Sequence, residues 1–334
     1  MKAWEYSTAA GGLEKNLVLN PSAPVPTLSP KLGDSELLVR VLAASLNPAD
    51  HKVAELGVLS KLAVRHPATP GMDFCGRVVQ TTSTVDNFAI GDLVFGNLGV
   101  TQHGTLAEYI VVPTKACAHV PDGVSVEDAA ATPVAGLTEY EAISPHVKPG
   151  DKIFINGGSG GTGTFGVQIA KALGCHVTTT CSPGKIDLCR SLGADDIINY
   201  TATDVAETLR ARGQVFSLVV DNVGLPENLY KAADDFLLPQ GLFVQVGAPL
   251  SLATAKSIMS RSLLPSFLGG GQRRYQLFTP QNKQEHLQQL ARWLAEKKIR
   301  AVIDHVYDME HAPKAFEVLK LGKNAGKIVV RIAE

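Results

Sequence analysis

The stretch KIFINGGSGGTGTFGVQIAKALGCHVTTTCSP, residues 152–183, decides the fold. It opens on an apolar run, Ile153-Phe154-Ile155, that reads as a buried strand. Gly158, Gly160 and Gly163 follow in G-x-G-x-x-G spacing. An amphipathic helix follows, with Phe165, Val167, Ile169, Ala170 and Leu173 as its apolar positions, and a second strand begins near His176. Strand, glycine turn, helix and strand in that order form the βαβ unit that holds a dinucleotide. Glycine lets the backbone turn tightly and approach a pyrophosphate. The helix start offers unpaired N–H groups and the positive end of its dipole.

The end of the second strand bears on which dinucleotide. An NAD site usually has an Asp or Glu about 20 residues on, accepting from the ribose hydroxyls. Here the strand ends Thr178-Thr179-Thr180-Cys181-Ser182, and the first acid afterwards is Asp187. Ser182 and Lys185 stand where the carboxylate would be. A hydroxyl and an ammonium favour a 2′-phosphate, and no carboxylate repels it, so NADPH is the expected cofactor. A solvated first-turn lysine is the plainer reading of Lys185.

Working outward, the 334 residues suit two domains, with 45% hydrophobic and 19% charged residues. The net charge of −1 gives no long-range attraction to nucleic acid or an anionic membrane. No run approaches the roughly 20 apolar residues of a membrane span, and the start MKAWEYSTAAGGLEK has no apolar signal core. The five cysteines are scattered without a C-x-x-C pair, as expected of reduced thiols in a cytoplasmic protein.

Before about residue 123 the chain is rich in short strand signals: LLVRVLAASL (37–46), GRVVQ (76–80), DLVFG (92–96) and LAEYIVV (106–112). They suggest a partly open, mostly antiparallel barrel. VSVEDAAATPVAGLTEYEAI reads as a capped helix and a second helix past Pro133. Strands are expected at 176–181, 196–199, 216–221 and 242–247 with helices between, which is doubly wound α/β. QEHLQQLARWLAEKKI (284–299) is an amphipathic helix, and the last 34 residues give strand, helix and strand. The expected domains are 1–123 with 270–334, and 124–269 inserted between them.

SLNPAD (45–50), TPGMDFCGRV (69–78), GDLVFG (91–96), GTLAEYIVV (104–112), TPVAGLTEYEAI (132–143), SLGADDIINY (191–200), VVDNVG (219–224), FVQVGAP (243–249) and NAGKIVV (324–330) accompany the glycine turn. With these marks the chain resembles, from end to end, the medium-chain dehydrogenase/reductase superfamily and its zinc-free, zeta-crystallin-like quinone oxidoreductase branch. The resemblance implies a GroES-like barrel-type catalytic domain plus a Rossmann domain, with the active site in the cleft between them. It implies a pyrophosphate on the backbone of Gly160, Gly161, Thr162 and Gly163, and a 2′-phosphate among Ser182, Lys185 and Tyr200. It puts Thr138, Asn222-Val223-Gly224 and Val246-Gly247-Ala248 toward the nicotinamide and its ribose, Asn324 on the cofactor, and Asn47 near the site of hydride transfer. Thr138 could equally bond its own helix backbone, and Asn47 could be a turn residue before Pro48. Asp50 and Asp73 read as structural.

The zinc-dependent relatives use Cys, His and Cys ligands, since a Zn²⁺ Lewis acid polarises an alcohol oxygen. Here the first ligand segment reads Asn47-Pro48-Ala49-Asp50, the second reads Gly71-Met72-Asp73, and no four-cysteine loop exists. No metal is therefore expected, and the expected acceptor is a quinone or the C=C bond of an α,β-unsaturated carbonyl. Enoyl-thioester reductases of the superfamily carry a tyrosine soon after the Asn-Pro-x-Asp motif. Here the stretch is Ala54-Glu55-Leu56-Gly57-Val58-Leu59, and Leu56 to Val64 reads as a greasy pocket wall or as core. An enoyl reductase on a thioester or polyketide chain is the alternative, and a non-catalytic NADPH-binding redox sensor is the third reading. Relatives pair through the edge of the Rossmann sheet, so a homodimer is expected through the apolar segment 263–271, which could equally line the substrate cleft.

Overall fold

The computed structural model describes residues 1–29, 35–57, 60–99, 104–248, 261 and 271–333. Nearly all of segment 263–271, and Val58 and Leu59 of the expected pocket wall, lie outside the described residues. The chain divides into two compact units, Met1–Leu137 with Asn282–Glu334, and Thr138–Gln281.

The first unit contributes β1 (Ala3–Glu5), β2 (Val18–Asn20), β3 (Glu36–Leu46), β4 (Asp73–Thr81), β5 (Leu93–Asn97), β6 (Tyr109–Pro113) and β7 (Cys117–His119). The second contributes β8 (Lys152–Asn156), β9 (His176–Cys181), β10 (Asp196–Asn199), β11 (Phe216–Asp221), β12 (Leu237–Gln245) and β13 (Arg274–Leu277). The chain then returns to the first unit for β14 (Ile303–Asp308) and β15 (Lys327–Arg331).

In the first unit the main sheet runs β14-β15-β3-β4-β5-β7, with β6 also on β3. β3 is long enough to pair β6 along Glu36–Arg40 and β15 along Ala43–Leu46, while β4 lies along its other side. Two register shifts between β3 and β4, at Leu38/Val39 and Val41/Ala43, bend the ribbon as bulges do. Leu37, Val39, Val41, Phe74, Val94, Ile110, Val112, Phe316, Ile328 and Val330 form its core. Each large aliphatic or aromatic side chain so buried contributes about 1.5–3 kcal/mol.

In the second unit six strands among the described residues run in the order β10-β9-β8-β11-β12-β13, every pair parallel. Ile153–Ile155, Leu218–Val220 and Phe243–Val244 are wholly buried, the continuous apolar signature of strands covered on both faces. The strand order reverses direction between β8 and β11. Ligands of such sheets bind beyond the carboxyl ends of the strands at that point.

The domain boundaries differ from the expected 123/124 and 269/270. The helix Val126–Ala131, capped by Ser125 accepting the Asp128 N–H, buries Ala129, Ala130 and Ala131 in the first unit, because alanine packs closely on a sheet. At the other junction, Arg274–Leu277 pairs with β12 as a sixth parallel strand. That strand carries no alternation in its sequence because it is an edge strand, exposed or half-buried along its length. Among the described residues, no helix is long and apolar enough to cross a membrane.

Candidate functional site

The glycine turn is built by its neighbour strand. β8 ends at Asn156, and Gly157 takes φ 86°, a left-handed conformation that favours glycine. Its N–H donates to Thr180 Oγ1 at 2.7 Å, and the Gly158 N–H donates to the Thr180 carbonyl at 3.0 Å. Thr180 Oγ1 donates to Asn156 Oδ1, and Thr179 Oγ1 to the Ile155 carbonyl, both at 2.7 Å. The threonine run at the end of β9 thus clamps the turn. Sequence reasoning missed this role, weighing the run only for its lack of a carboxylate.

The three motif glycines have different causes. A Cβ on Gly158 would strike Thr179 Oγ1, and one on Gly163 would strike the Gly157 carbonyl and lie 2.7 Å from Gly158 Cα. At Gly160, with φ −80°, a Cβ would meet only the Gly157 oxygen at 3.5 Å, an ordinary contact. The protein leaves room there. Gly163→Ala should therefore lower stability by about 1–3 kcal/mol and abolish dinucleotide binding. Gly160→Ala should keep the melting temperature and still weaken the dinucleotide about tenfold or more. Melting curves with and without NADPH check the pair, and equal behaviour of the two variants would contradict the assignment.

The helix Gly161–Ala172 follows, and its first i→i−4 bond runs from Thr164 to Gly160. The N–H groups of Gly161, Thr162 and Gly163 come before that bond and point out of the helix start. Beside the turn, the ends of β8, β11 and β12 share a buried network. Asn156 Nδ2 donates to Asp221 Oδ1 at 2.8 Å and Gln245 Nε2 to Asp221 Oδ2 at 3.0 Å. Asp221 Oδ1 also accepts the N–H groups of Val223 (3.1 Å) and Gly224 (2.8 Å), which fixes the loop after β11. Burial raises the Asp221 carboxyl, and these bonds oppose the rise. Val246 and Gly247 donate to the Asp221 carbonyl, and a Cβ on Gly247 would strike the Asn222 carbonyl, so this crossing also requires glycine.

Because the sheet is parallel, the sequence-predicted residues of this unit gather on its carboxyl edge. Gly160–Gly163 follow β8, Ser182 and Lys185 follow β9, and Tyr200 follows β10. Asn222–Gly224 follow β11 and Val246–Ala248 follow β12. Ser182 and Lys185 are half-buried at either end of a single turn closed by the Lys185 N–H on the Ser182 carbonyl. Tyr200 is 55% exposed. Thr138 is buried in the helix Pro133–Ile143.

Asn47 and Asn324 belong to the first unit. The Asn324 side chain donates to the Gly326 carbonyl. Asn47 starts the helix Pro48–Ala54, and its backbone N–H is bound by Asp50 Oδ2 at 2.7 Å. Its side chain sits in a buried cluster that sequence reasoning did not find. Asn47 Nδ2 donates to Asp73 Oδ2 at 2.9 Å, and Lys327 Nζ donates to Asn47 Oδ1 at 2.6 Å and to Asp73 Oδ2 at 3.1 Å. Ser45 Oγ also donates to Asp73 Oδ2, and the Val134 N–H to Asp73 Oδ1. One amide hydrogen of Asn47 is left over after the Asp73 bond. Asp50 Oδ1 has no partner among the described residues, and Asp50 lines a pocket with Tyr6, Thr69, Gly71 and Met72. Burial pushes Asp50 up to about 7; the Asn47 N–H and Lys327 oppose this, and Asp73 adds to it. A carboxyl titrating near neutrality in a pocket is suited to donating a proton. Among the described residues no three His, Cys, Asp or Glu side chains converge as metal ligands.

A nicotinamide dinucleotide fits the carboxyl edge of the second unit. Gly160 leaves a cradle that a side chain would fill, the helix start presents free N–H groups, and Asn222 Oδ1 is buried without a partner among the described residues. A doubly wound sheet with this cradle, in one chain with a GroES-like unit, is the architecture of an oxidoreductase. The chain belongs to the medium-chain dehydrogenase/reductase superfamily, in its quinone oxidoreductase-like branch. Residues 33–122 match the family described as "Alcohol dehydrogenase GroES-like domain", and residues 192–330 the one described as "Zinc-binding dehydrogenase". The chain is 46% identical to a trans-enoyl reductase, pgmF, of Aspergillus terreus, over 100% of this chain and 97% of that protein. It is 31% identical to a chloroplastic quinone oxidoreductase, QR1, of Triphysaria versicolor, over 99% and 98%. The solved quinone oxidoreductase of Coxiella burnetii superposes with a TM-score of 0.84 at 30% identity, covering 99% of each chain.

Proposed function

We propose that the protein is an NADPH-dependent reductase of a quinone or of a C=C bond conjugated to a carbonyl. The observation that carries the cofactor choice is the end of β9, where Ser182 and half-buried Lys185 stand and no carboxylate does. Gly160–Gly163 would hold the pyrophosphate. Ser182, Lys185 and Tyr200 would hold the 2′-phosphate, and Thr138, Asn222, Val223, Val246, Gly247, Ala248 and Asn324 the nicotinamide half. Bound there, the reduced nicotinamide supplies hydride to the acceptor. The free amide hydrogen of Asn47 would stabilise the oxygen on which charge develops, held in place by Lys327 and Asp73. Asp50 would supply the proton.

Lys185→Ala tests the cofactor choice. A charge-assisted hydrogen bond contributes about 1.5–3 kcal/mol, one to two decades of affinity. The variant should lose about that much for NADPH and little for NADH in calorimetry. Equal binding of both cofactors by the unaltered protein would sink the proposal.

The likeness to a trans-enoyl reductase favours a second reading, an acceptor that is an enoyl chain on a thioester. Matched free enones and enoyl thioesters separate the two by kcat/KM. The five buried, unbridged cysteines agree with a reducing compartment such as the cytoplasm. A homodimer through the sheet edge remains part of the proposal, and light scattering at micromolar concentration tests it.

A further inference from the structure

Glu139 is fully buried one residue beyond Thr138 in the helix Pro133–Ile143. Its Oε1 is bonded to the side-chain amide of Asn222 at 2.6 Å. Its Oε2, like the amide oxygen of Asn222, is buried with no partner among the described residues. The other wall is the glycine-turn helix, where a Cβ on Gly166 would run into Glu139 Oε2 and lie 2.7 Å from its Cδ. A side chain at position 166 would have to displace the end of Glu139, so the helix and the carboxyl are in close contact. One acid therefore joins three segments of the proposed nicotinamide site: the helix of Thr138, the loop of Asn222–Gly224, and the helix that starts at the pyrophosphate cradle.

No charged side chain is among the causes that shift Glu139. Burial pushes it up to about 7, and the bond to Asn222 opposes the rise. The nearest acids along the chain are engaged elsewhere: Glu141 accepts the Gln281 N–H, and Asp221 is held in its own network. A separation of 2.6 Å is short for N–H···O and usual for O–H···O. A neutral Glu139 can donate to the amide oxygen of Asn222 once the amide is turned over, which presents the amide N–H₂ on the other side.

We infer that Glu139 is a positioning residue that couples dinucleotide binding to proton uptake: the cofactor binds the form in which this buried carboxyl is neutral. The inference rests on the cofactor reading above. A polyanionic ligand that also excludes water makes a neighbouring buried carboxylate less favourable, which raises its affinity for a proton. Linkage then fixes the sign. Below the free-state titration point Glu139 is neutral in both states, and the affinity does not depend on it. As pH rises through about 7 the free protein loses the proton while the complex keeps it. Affinity then falls by about tenfold per pH unit at most, with a proton taken from solvent on binding.

Calorimetry of the full chain with NADPH at pH 6 and pH 8.5, in buffers of different ionisation heat, tests this. The 2′-phosphate and His146 also titrate and Lys185 carries a charge, so the comparison is with Glu139→Gln, which removes only the carboxyl proton. The unaltered protein should lose about tenfold more affinity than the variant across this range, and should take up a proton that the variant does not. Asn222→Ala removes the hydrogen-bond partner of the carboxyl and should move the titration midpoint; it carries the test if Glu139→Gln does not fold. Parallel pH profiles for the unaltered protein and Glu139→Gln, or an unmoved midpoint in Asn222→Ala, overturn the inference alone. Absence of binding by both NADPH and NADH overturns the cofactor reading and the inference with it.

Discussion

Replacing Lys327 by alanine should destabilise the first unit by about 3–5 kcal/mol, the cost of leaving a buried charge without its partner. Lys327 is 3% exposed and Asp73 is fully buried. Their charges meet at 3.1 Å, and Asn47 Oδ1 takes another ammonium hydrogen. Asp73 would keep its bonds to Ser45, Asn47 and the Val134 N–H, yet lose the cation that balances it. Lys327→Met combined with Asp73→Asn should recover much of the loss, because a neutral pair needs no counter-charge. Denaturant unfolding checks this, read on the transition of the first unit because two units need not unfold together. A loss below about 1 kcal/mol in the single variant would place the pair among weak surface ion pairs and contradict its burial.

The second large effect is kinetic. Asn47→Ala should lower kcat/KM by about tenfold to a thousandfold, the range for losing one donor to a developing oxyanion. NADPH affinity should change little, because Asn47 belongs to the first unit and the proposed pyrophosphate and 2′-phosphate contacts to the second. The side chain also bridges Lys327 and Asp73, so some loss of stability should accompany the kinetic loss. Initial rates at saturating NADPH, with melting curves alongside, separate the two. A folded variant with unchanged kcat/KM would remove Asn47 from the chemistry and leave it as the start of a helix.

Parts of the fold and of the site were legible in the sequence, for physical reasons. β8 and β11 announce themselves as apolar runs because a parallel sheet is covered on both faces. The glycine turn is legible because steric conflict at Gly158 and Gly163 admits no other residue. β12 begins five residues before the expected 242, at Leu237, and its first half holds Pro239 and Gly241, which mask the strand signal. The Asn47, Asp73 and Lys327 cluster was not legible. Its members meet only because β3 pairs Ser45 with Asp73 on one side and Leu46 with Ile328 on the other. Lys327 and Asn47 are 280 residues apart in the chain, and no local pattern announces such a contact. Glu139 was passed over for the same reason, since its partner lies 83 residues away.

We propose that this oxidoreductase reduces quinones or conjugated C=C bonds with NADPH. The most direct measurement follows NADPH oxidation by the purified full chain with ortho- and para-quinones, short enones, enoyl thioesters and simple ketones, and runs secondary alcohols with NADP⁺ in reverse. Quinones or conjugated C=C acceptors should give the highest kcat/KM, since they delocalise the charge that simple ketones concentrate on one oxygen. Secondary alcohols or simple ketones as the best substrates would overturn the assignment to quinone or conjugated C=C reduction.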